Sequence, residues 1–518
     1  MADDKRATKR GKRKVIPGIL KALALLMAAL FQIALMVIPV IFFQDYIQHI
    51  QWILTMFSIL VVFFIVRQDM NPAYKIPWIV AIMAFPAFGG TLYVIYGSYH
   101  YSKKEIERGT RLIKNTRDAL MSQPYANEKL AKEAPEMVPE MEYLFRYADA
   151  PAYDNTTSQF FKLGDDMFPV MLEELEKAEK FIFMEFFIVE EGEMLDPILE
   201  ILERKAADGV EVRFSYDSFG SLLKTPKDFV KKLRKKGIQC YEFNTFRSIW
   251  DTRYNNRNHR KICVIDGKVG FTGGVNLADE YINRKEIYGH WKDTGIMIKG
   301  DAVWSLTTMF LSLWDGSFRK EDDILKYKAE CDWDYSDGYY IPYTDYPVDS
   351  EAVGKNVYLN MINRAKKSVY IMTPYLILDN VLVSALTTAA KSGLDIRIIT
   401  PGVPDKKMVY MLTQSYYEVL IKAGVRIYEY TPGFVHAKIF LADNNRGVVG
   451  TINLDYRSLA HHYENAVWLY KTESLKDIAA DYEETLTKCH LVTYEESRKR
   501  SLLKKIILPI LRLFAPLM

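Results

Sequence analysis

Two stretches of this 518-residue chain carry the same chemistry-bearing pattern. The first, NHRKICVIDGKVGFTGGVN (Asn258–Asn276), holds His259, Lys261 and Asp266. The second, FVHAKIFLADNNRGVVGTINLDYRS (Phe434–Ser458), holds His436, Lys438 and Asp443. Both read His-x-Lys-x4-Asp. Asn276 and Asn453 each follow their histidine by 17 residues, and Gly273 and Gly450 follow by 14. A lone histidine is more often a satisfied core residue, and a lone lysine is more often solvated. Two copies at identical spacing leave those readings little room.

Two imidazoles, two ammonium groups and two carboxamides together suit an anion with several oxygens, such as a phosphate diester. One histidine can attack phosphorus while the other protonates the leaving oxygen. The lysines supply the positive charge, so neither a metal nor another cofactor is expected. Each histidine also needs a carboxylate on its second ring nitrogen. Glu464, in HHYENAVWLY, lies 28 residues past His436, and Asp293, in HWKDTGIMIKG, is the counterpart expected for His259. The candidate catalytic set is therefore His259, Lys261, Asp266, His436, Lys438 and Asp443. Asn276 and Asn453 are candidates for binding the phosphate. Asp266 and Asp443 are expected at strand ends, where they stabilise turns.

Elements must bring these groups together. Ile262–Ile265 and Ile439–Ala442 are short apolar runs that read as buried strands. His and Lys, two apart, would share one strand face, and the glycines after them allow a tight return that brings Asn close. The surrounding chain repeats as well. EKAEKFIFMEFFIV (Glu176–Val189) matches NRAKKSVYIMTPYLI (Asn363–Ile377). ERKAADGVEVRFSYDSFGS (Glu203–Ser221) matches TTAAKSGLDIRIITPG (Thr387–Gly402), and LRKKGIQCYEF (Leu233–Phe243) matches LIKAGVRIYEY (Leu420–Tyr430). Strand–helix–strand alternation, occurring twice at a long period, predicts a duplicated α/β domain with largely parallel sheets. The halves are expected to meet across a pseudo-twofold axis with both histidines facing one cavity.

Net charge is only +3, which gives no global pull towards nucleic acid. No basic–aromatic groove is evident after residue 150 either. Cys240, Cys263, Cys331 and Cys489 form neither a zinc pattern nor a disulfide framework. The N-terminal region reads differently from the rest. A basic tail (1–18) precedes three apolar runs, Ile19–Phe43, Trp52–Val66 and Ile76–Tyr96. The first is too long for a signal peptide, so two or three transmembrane helices are expected within 19–97. Basic clusters flank this region on both sides, at Lys5–Lys14 and again at Lys103–Arg117. Both can lie inside the cell only if one run fails to span. At the other end, SRKRSLLKKIILPILRLFAPLM (Ser497–Met518) reads as an interfacial helix on anionic lipid.

The duplicated motif resembles that of the phospholipase D superfamily, and within it the bacterial cardiolipin synthases. NHRKICVIDGKVGFTGGVNLADEY, GHWKDT, RAKKSVYIMTPYLI, LIKAGVRIYEY, GTINLDYRS and AYKIPWIVAIMAFPAFGGTLYVIYG (Ala73–Gly97) carry the likeness, over roughly residues 52 to 518. LAHHYE departs from it, with two histidines where that family more usually has Leu-Asn before the glutamate, so His461 and His462 inherit no role. The extra first span is a second departure.

The resemblance implies two phospholipase D-like repeats forming a pseudo-twofold pair of mixed, largely parallel sheets flanked by helices, preceded by transmembrane helices. The domains expected are a connecting segment (98–150), a first repeat (151–328), an acidic, Tyr-rich linker or flap (329–350), a second repeat (351–492) and the C-terminal segment (493–518). It implies that two phosphatidylglycerol molecules give cardiolipin and glycerol in a bacterial plasma membrane. His259 would be the nucleophile and His436 the acid and then the base. Phosphatidylglycerol and the anionic bilayer are the partners implied, nucleic acid is not, and self-association is left open. Glu185, Asp217, Tyr375 and Arg457 are candidates for the acceptor pocket. A hydrolase, a transferase using another acceptor alcohol and a non-catalytic lipid-binding protein are the alternatives.

Overall fold

The computed structural model describes residues 26–27, 30–31, 33–34, 47–68, 70–97, 114, 116–122, 125–245, 256–318, 323–329, 335–347, 351–499 and 501–517. The basic tail and most of the first apolar run lie outside these residues, as does most of the Lys103–Arg117 cluster. The chain divides into two compact units. Residues 103–245 and 256–505 form one, and residues 1–102, 246–255 and 506–518 form the other.

The larger unit holds the duplication. Its first half contains β1 (Thr156–Phe161), β2 (Phe181–Phe186), β3 (Glu211–Asp217), β4 (Gln239–Phe243), β5 (Arg257–Asn258), β6 (Ile262–Ile265), β7 (Val269–Gly273), β8 (His290–Lys292) and β9 (Gly295–Gly300). The second contains β10 (Tyr339–Asp345), β11 (Ser368–Met372), β12 (Asp395–Pro401), β13 (Arg426–Tyr430), β14 (Gly433–Val435), β15 (Ile439–Ala442), β16 (Arg446–Gly450), β17 (His462–Tyr470) and β18 (Cys489–Leu491). The first sheet runs β1-β9-β7-β6-β2-β3-β4 and the second β10-β17-β16-β15-β11-β12-β13-β18. Strand for strand, the two orders correspond, with β18 added at one edge.

The sheets are mixed but not largely parallel, which corrects the sequence expectation. In the first sheet only β2–β3 and β3–β4 pair in parallel, while β1–β9, β2–β6, β6–β7 and β7–β9 are antiparallel. Connection length accounts for the pairs of sequence neighbours. Helices Leu195–Ala207 and Phe229–Lys235 carry the chain back between the parallel strands, as parallel pairing requires. A three-residue turn joins β6 to β7 and forces the pair antiparallel.

Each sheet is covered on both faces, which explains its continuous apolar strands. Within β2, Phe181 and Phe183 enter one core cluster, while Ile182 and Met184 enter another. The first of these clusters also takes Ile439 and Leu441 of β15, Val449 of β16, and Trp304 and Phe310 of the helix Val303–Phe318. The halves therefore share a core. The expected boundaries shift accordingly. Tyr339, Tyr340 and Tyr343 of the supposed linker are buried in β10, an edge strand of the second half. Their tyrosines are core residues, not a flap. The connecting segment is likewise structural, since Glu140 of the helix Val138–Tyr147 accepts from the buried Trp468 indole at 3.0 Å.

In the smaller unit, Ile65, Trp78, Ile82 and Tyr93 form a small core with Leu517 packed against it. The third apolar run is interrupted. Helix Pro72–Ala84 ends at Phe85 and a new helix begins at Pro86, because a proline lacks the N–H that continuation needs. Among the described residues no helix is long and apolar enough to cross a membrane. The multi-pass arrangement expected from the sequence is therefore not carried by this structure. The helix Ile47–Arg67 nonetheless exposes Trp52, Ile53, Met56, Phe57, Leu60, Phe63 and Phe64.

Candidate active site

Each histidine lies just ahead of a strand rather than in one. His259 to Lys261 lead into β6, and His436 to Lys438 lead into β15. The shared strand face expected for His and Lys is replaced by a local turnback. Lys261 Nζ donates to the His259 carbonyl at 2.6 Å, and Lys438 Nζ donates to the His436 carbonyl.

The aspartates sit at the far end of the same strands. Asp266 and Asp443 both take positive φ. Asp266 accepts from the amides of Glu179, Lys180 and Phe181. Asp443 accepts from those of Lys366, Lys367 and Ser368. Each carboxylate thus staples the turn after its strand to the start of the neighbouring central strand. That is the turn-stabilising part foreseen for them, and it places both away from the histidines, so their place in the catalytic set is corrected.

The orienting carboxylates are the expected residues with exchanged partners. His259 Nδ1 lies 3.0 Å from both Glu464 oxygens, and His436 Nδ1 lies 2.6 Å from Asp293 Oδ2. The backbone explains the exchange. β5 pairs in parallel with β17, and β8 with β14, so two short ladders stitch the halves together. His259 N–H donates to the Tyr463 carbonyl at 2.9 Å, and His436 N–H to the Lys292 carbonyl at 2.7 Å. Each acceptor is the residue just before a carboxylate, so each half holds the other's histidine by main chain and side chain together. Spacing within one half cannot reveal this, because the signal lies in pairing between halves.

The two carboxylates are supported differently. Glu464 accepts from Ser458 Oγ at 2.6 Å and from the Thr451 hydroxyl. Asp293 accepts from its neighbour's amide, Thr294 N, at 2.8 Å. Position 274, which matches Thr451, is glycine. A Cβ there would stand 2.0 Å from Asp293 Oδ1.

Burial sets the protonation states. It pushes His259 down to about 3 and His436 to about 4. It also lowers Lys261 to about 7 and Lys438 to about 8. Burial alone would raise Glu464 and Asp293, but their histidines hold both below the usual carboxylate range. The site thus holds two neutral imidazoles oriented by two carboxylates. Lys438 acts on the charge of Lys261, and Lys261 on that of His436, so the two centres form one electrostatic site.

The asparagines differ. Asn276 accepts from Ile188 N at 3.0 Å and donates to the Tyr281 hydroxyl at 2.9 Å, which occupies both ends of its amide. Asn453 Oδ1 is buried without a hydrogen-bond partner among the described residues. Of the pocket candidates, Glu185 is bound to Arg260 at 2.8 Å and fully buried. Asp217 accepts from the amides of Asn258, Phe219 and Gly220, anchoring the lead-in to His259. Tyr375 donates to Asp405 at 2.6 Å. Arg457 lies on the helix Tyr456–Ala460. Glu185 and Asp217 are therefore scaffold.

One neighbour escaped the sequence reading. His462 lies with its ring 5.4 Å from that of His259, and its Nδ1 is 3.5 Å from Glu464 Oε1. Its place two residues before the carboxylate is taken in the other half by Trp291, whose ring is 5.6 Å from that of His436.

Comparison with known proteins adds a family. The model of the cardiolipin synthase, phospholipase D-like domain matches residues 171–314 and 358–486. An uncharacterized protein of Streptococcus mutans serotype c is 44% identical over 88% of this chain and 99% of its own length. A cardiolipin synthase of Geobacillus sp. is 34% identical over 89% of this chain and 92% of its own. The crystal structure of a phosphatidylserine synthase from Haemophilus influenzae superposes with a TM-score of 0.56 at 14% identity. It covers 73% of this chain and 97% of that one, a likeness of fold.

Proposed function

This chain belongs to the cardiolipin synthase family of phospholipase D-like enzymes and is a phosphatidyltransferase, and we propose that it joins two phosphatidylglycerol molecules into cardiolipin through a phosphohistidine at His259. The observation that carries the reading is the exchanged pair of His–carboxylate contacts around two buried lysines.

His259 Nε2 attacks phosphorus while Glu464 holds the proton on Nδ1. The phosphodiester anion raises the pKa of His436, which then carries the proton that the departing glycerol takes. The phosphatidyl group now sits on His259. A second phosphatidylglycerol brings its terminal hydroxyl to His436, loses a proton there and attacks the same phosphorus, and His259 leaves. One phosphodiester replaces another, so no nucleotide is consumed. Lys261, Lys438 and Asn453 are the phosphate-binding groups. Burial of every participant supports transfer over hydrolysis, because water competes with the second hydroxyl. The exposed apolar side chains of the helix Ile47–Arg67 support a bilayer setting. So does the C-terminal helix Leu502–Phe514, which exposes Ile506, Ile507 and Ile510 beside Lys504 and Lys505.

The test is purified full-length protein in liposomes of phosphatidylglycerol alone, with lipids separated and glycerol assayed. Equal cardiolipin and glycerol are expected without nucleotide. Phosphatidic acid with no cardiolipin would make the protein a hydrolase.

A further inference from the structure

His462 has no part in the reaction just described, yet its surroundings are unusual. Its side chain is nine-tenths buried, with Nδ1 3.5 Å from Glu464 Oε1, and neither ring nitrogen makes a hydrogen bond of good geometry among the described residues. A buried imidazole held this loosely is costly unless something visits it. The matching position in the other half holds Trp291, so packing there does not call for a ligating ring. Beside His462 stand the Nδ1 of His259 and the carboxylate of Glu464. One ligand atom from each of these three residues lies within 4.8 Å of the others. Tetrahedral zinc places its ligand atoms about 3.3 Å apart. The separations of 3.0 Å (His259–Glu464) and 3.5 Å (His462–Glu464) are close to that value.

We propose that His259, His462 and Glu464 form an inhibitory site for a zinc-like divalent cation. Two neutral imidazoles and one ionised carboxylate are the donor set such an ion prefers. Binding takes the lone pair of His259 Nδ1 and breaks its hydrogen bond to Glu464. The imidazole keeps one proton, and that proton must then sit on Nε2. A protonated Nε2 has no lone pair for phosphorus, so the nucleophile is silenced by tautomer while its position hardly changes. The other centre cannot do this, since Trp291 offers the metal nothing.

Metal binding stands independently of the functional reading. The inhibition rests on it. The experiment uses full-length protein in phosphatidylglycerol vesicles with zinc chloride, dialysed and then assayed for zinc content and for cardiolipin formation. Wild type is expected to retain about one zinc per chain and to lose turnover, with recovery on adding a chelator. His462→Asn is expected to retain none and to ignore zinc in the assay. Zinc-edge X-ray absorption on the wild type needs no variant, and should read nitrogen and oxygen ligands with no sulfur. No retained zinc, equal retention by His462→Asn, or a sulfur shell would overturn the site. Zinc held at this site without inhibition would keep the site but remove His259 as nucleophile.

Discussion

The two halves of the larger unit share strand order, motif spacing and the geometry of the histidine–carboxylate contact, but they differ in what surrounds it. Around His259 the support is polar: Glu464 with two hydroxyl donors, His462, and the buried pair of Arg260 with Glu185. Around His436 the equivalents are Asp293 against Gly274, Trp291, and Ala437 with Met372. The register β2–β6 sets Glu185 opposite Ile262, and β11–β15 sets Met372 opposite Ile439, so the last equivalence is structural. Duplication fixes where the two imidazoles stand, and the proposed mechanism gives them different work. The polar half is suited to a nucleophile that must bear a phosphoryl group, the apolar half to a proton carrier.

The largest effect should come from the histidines themselves. His259→Ala and His436→Ala are each expected to lower kcat by about 10³- to 10⁶-fold. They differ in kind, because only His436→Ala retains a nucleophile to phosphorylate. Next come the carboxylates. Glu464→Gln and Asp293→Asn should each lose about 10²- to 10⁴-fold in kcat through the wrong tautomer, while thermal unfolding stays near wild type.

The buried ion pair tests divergence through stability. Arg260→Ala leaves Glu185 unpaired, an expected loss of about 3–5 kcal/mol in denaturant unfolding. Adding Glu185→Met recreates the Ala–Met arrangement of the other half and should recover most of that loss. A double variant no more stable than Arg260→Ala would show that the halves are not interchangeable there.

The smallest effect is in pH. Lys261 and Lys438, lowered to about 7 and about 8, are cationic below those values and lose charge as pH rises through them. kcat/KM, which reports the free enzyme, is expected to fall about tenfold per pH unit between those values and about a hundredfold per unit above both. Lys261→Arg, always charged, should move the start of the limb upward, towards the value of Lys438.

Much of the site was legible in the chain. His259, Lys261, His436, Lys438, Asp293 and Glu464 all converge, because duplicated spacing survives folding. What sequence could not show was pairing. Asp293 was expected to serve His259, but the β8–β14 and β5–β17 ladders exchange partners, and no local pattern encodes which half a short strand will join. The sheets were expected to be largely parallel because strand–helix–strand units dominate the eye, while the antiparallel pairs around each motif outnumber the parallel ones. Tyr339, Tyr340 and Tyr343 look like a polar flap until β17 is placed beside them. His462 was visible only as a departure from a family pattern, and its meaning required the ring of His259 nearby.

The central claim is that Glu464 serves the nucleophile and Asp293 the proton carrier, across the halves. Phosphatidylglycerol labelled at phosphorus, mixed with Asp293→Asn and with Glu464→Gln and quenched in alkali, tests it directly, with peptide mass spectrometry locating the label. Asp293→Asn should still carry the phosphatidyl label on His259, since the nucleophile and its carboxylate are intact and acceptor activation is slowed, and Glu464→Gln should show almost none. Label on His436, or label in Glu464→Gln and none in Asp293→Asn, would contradict the account.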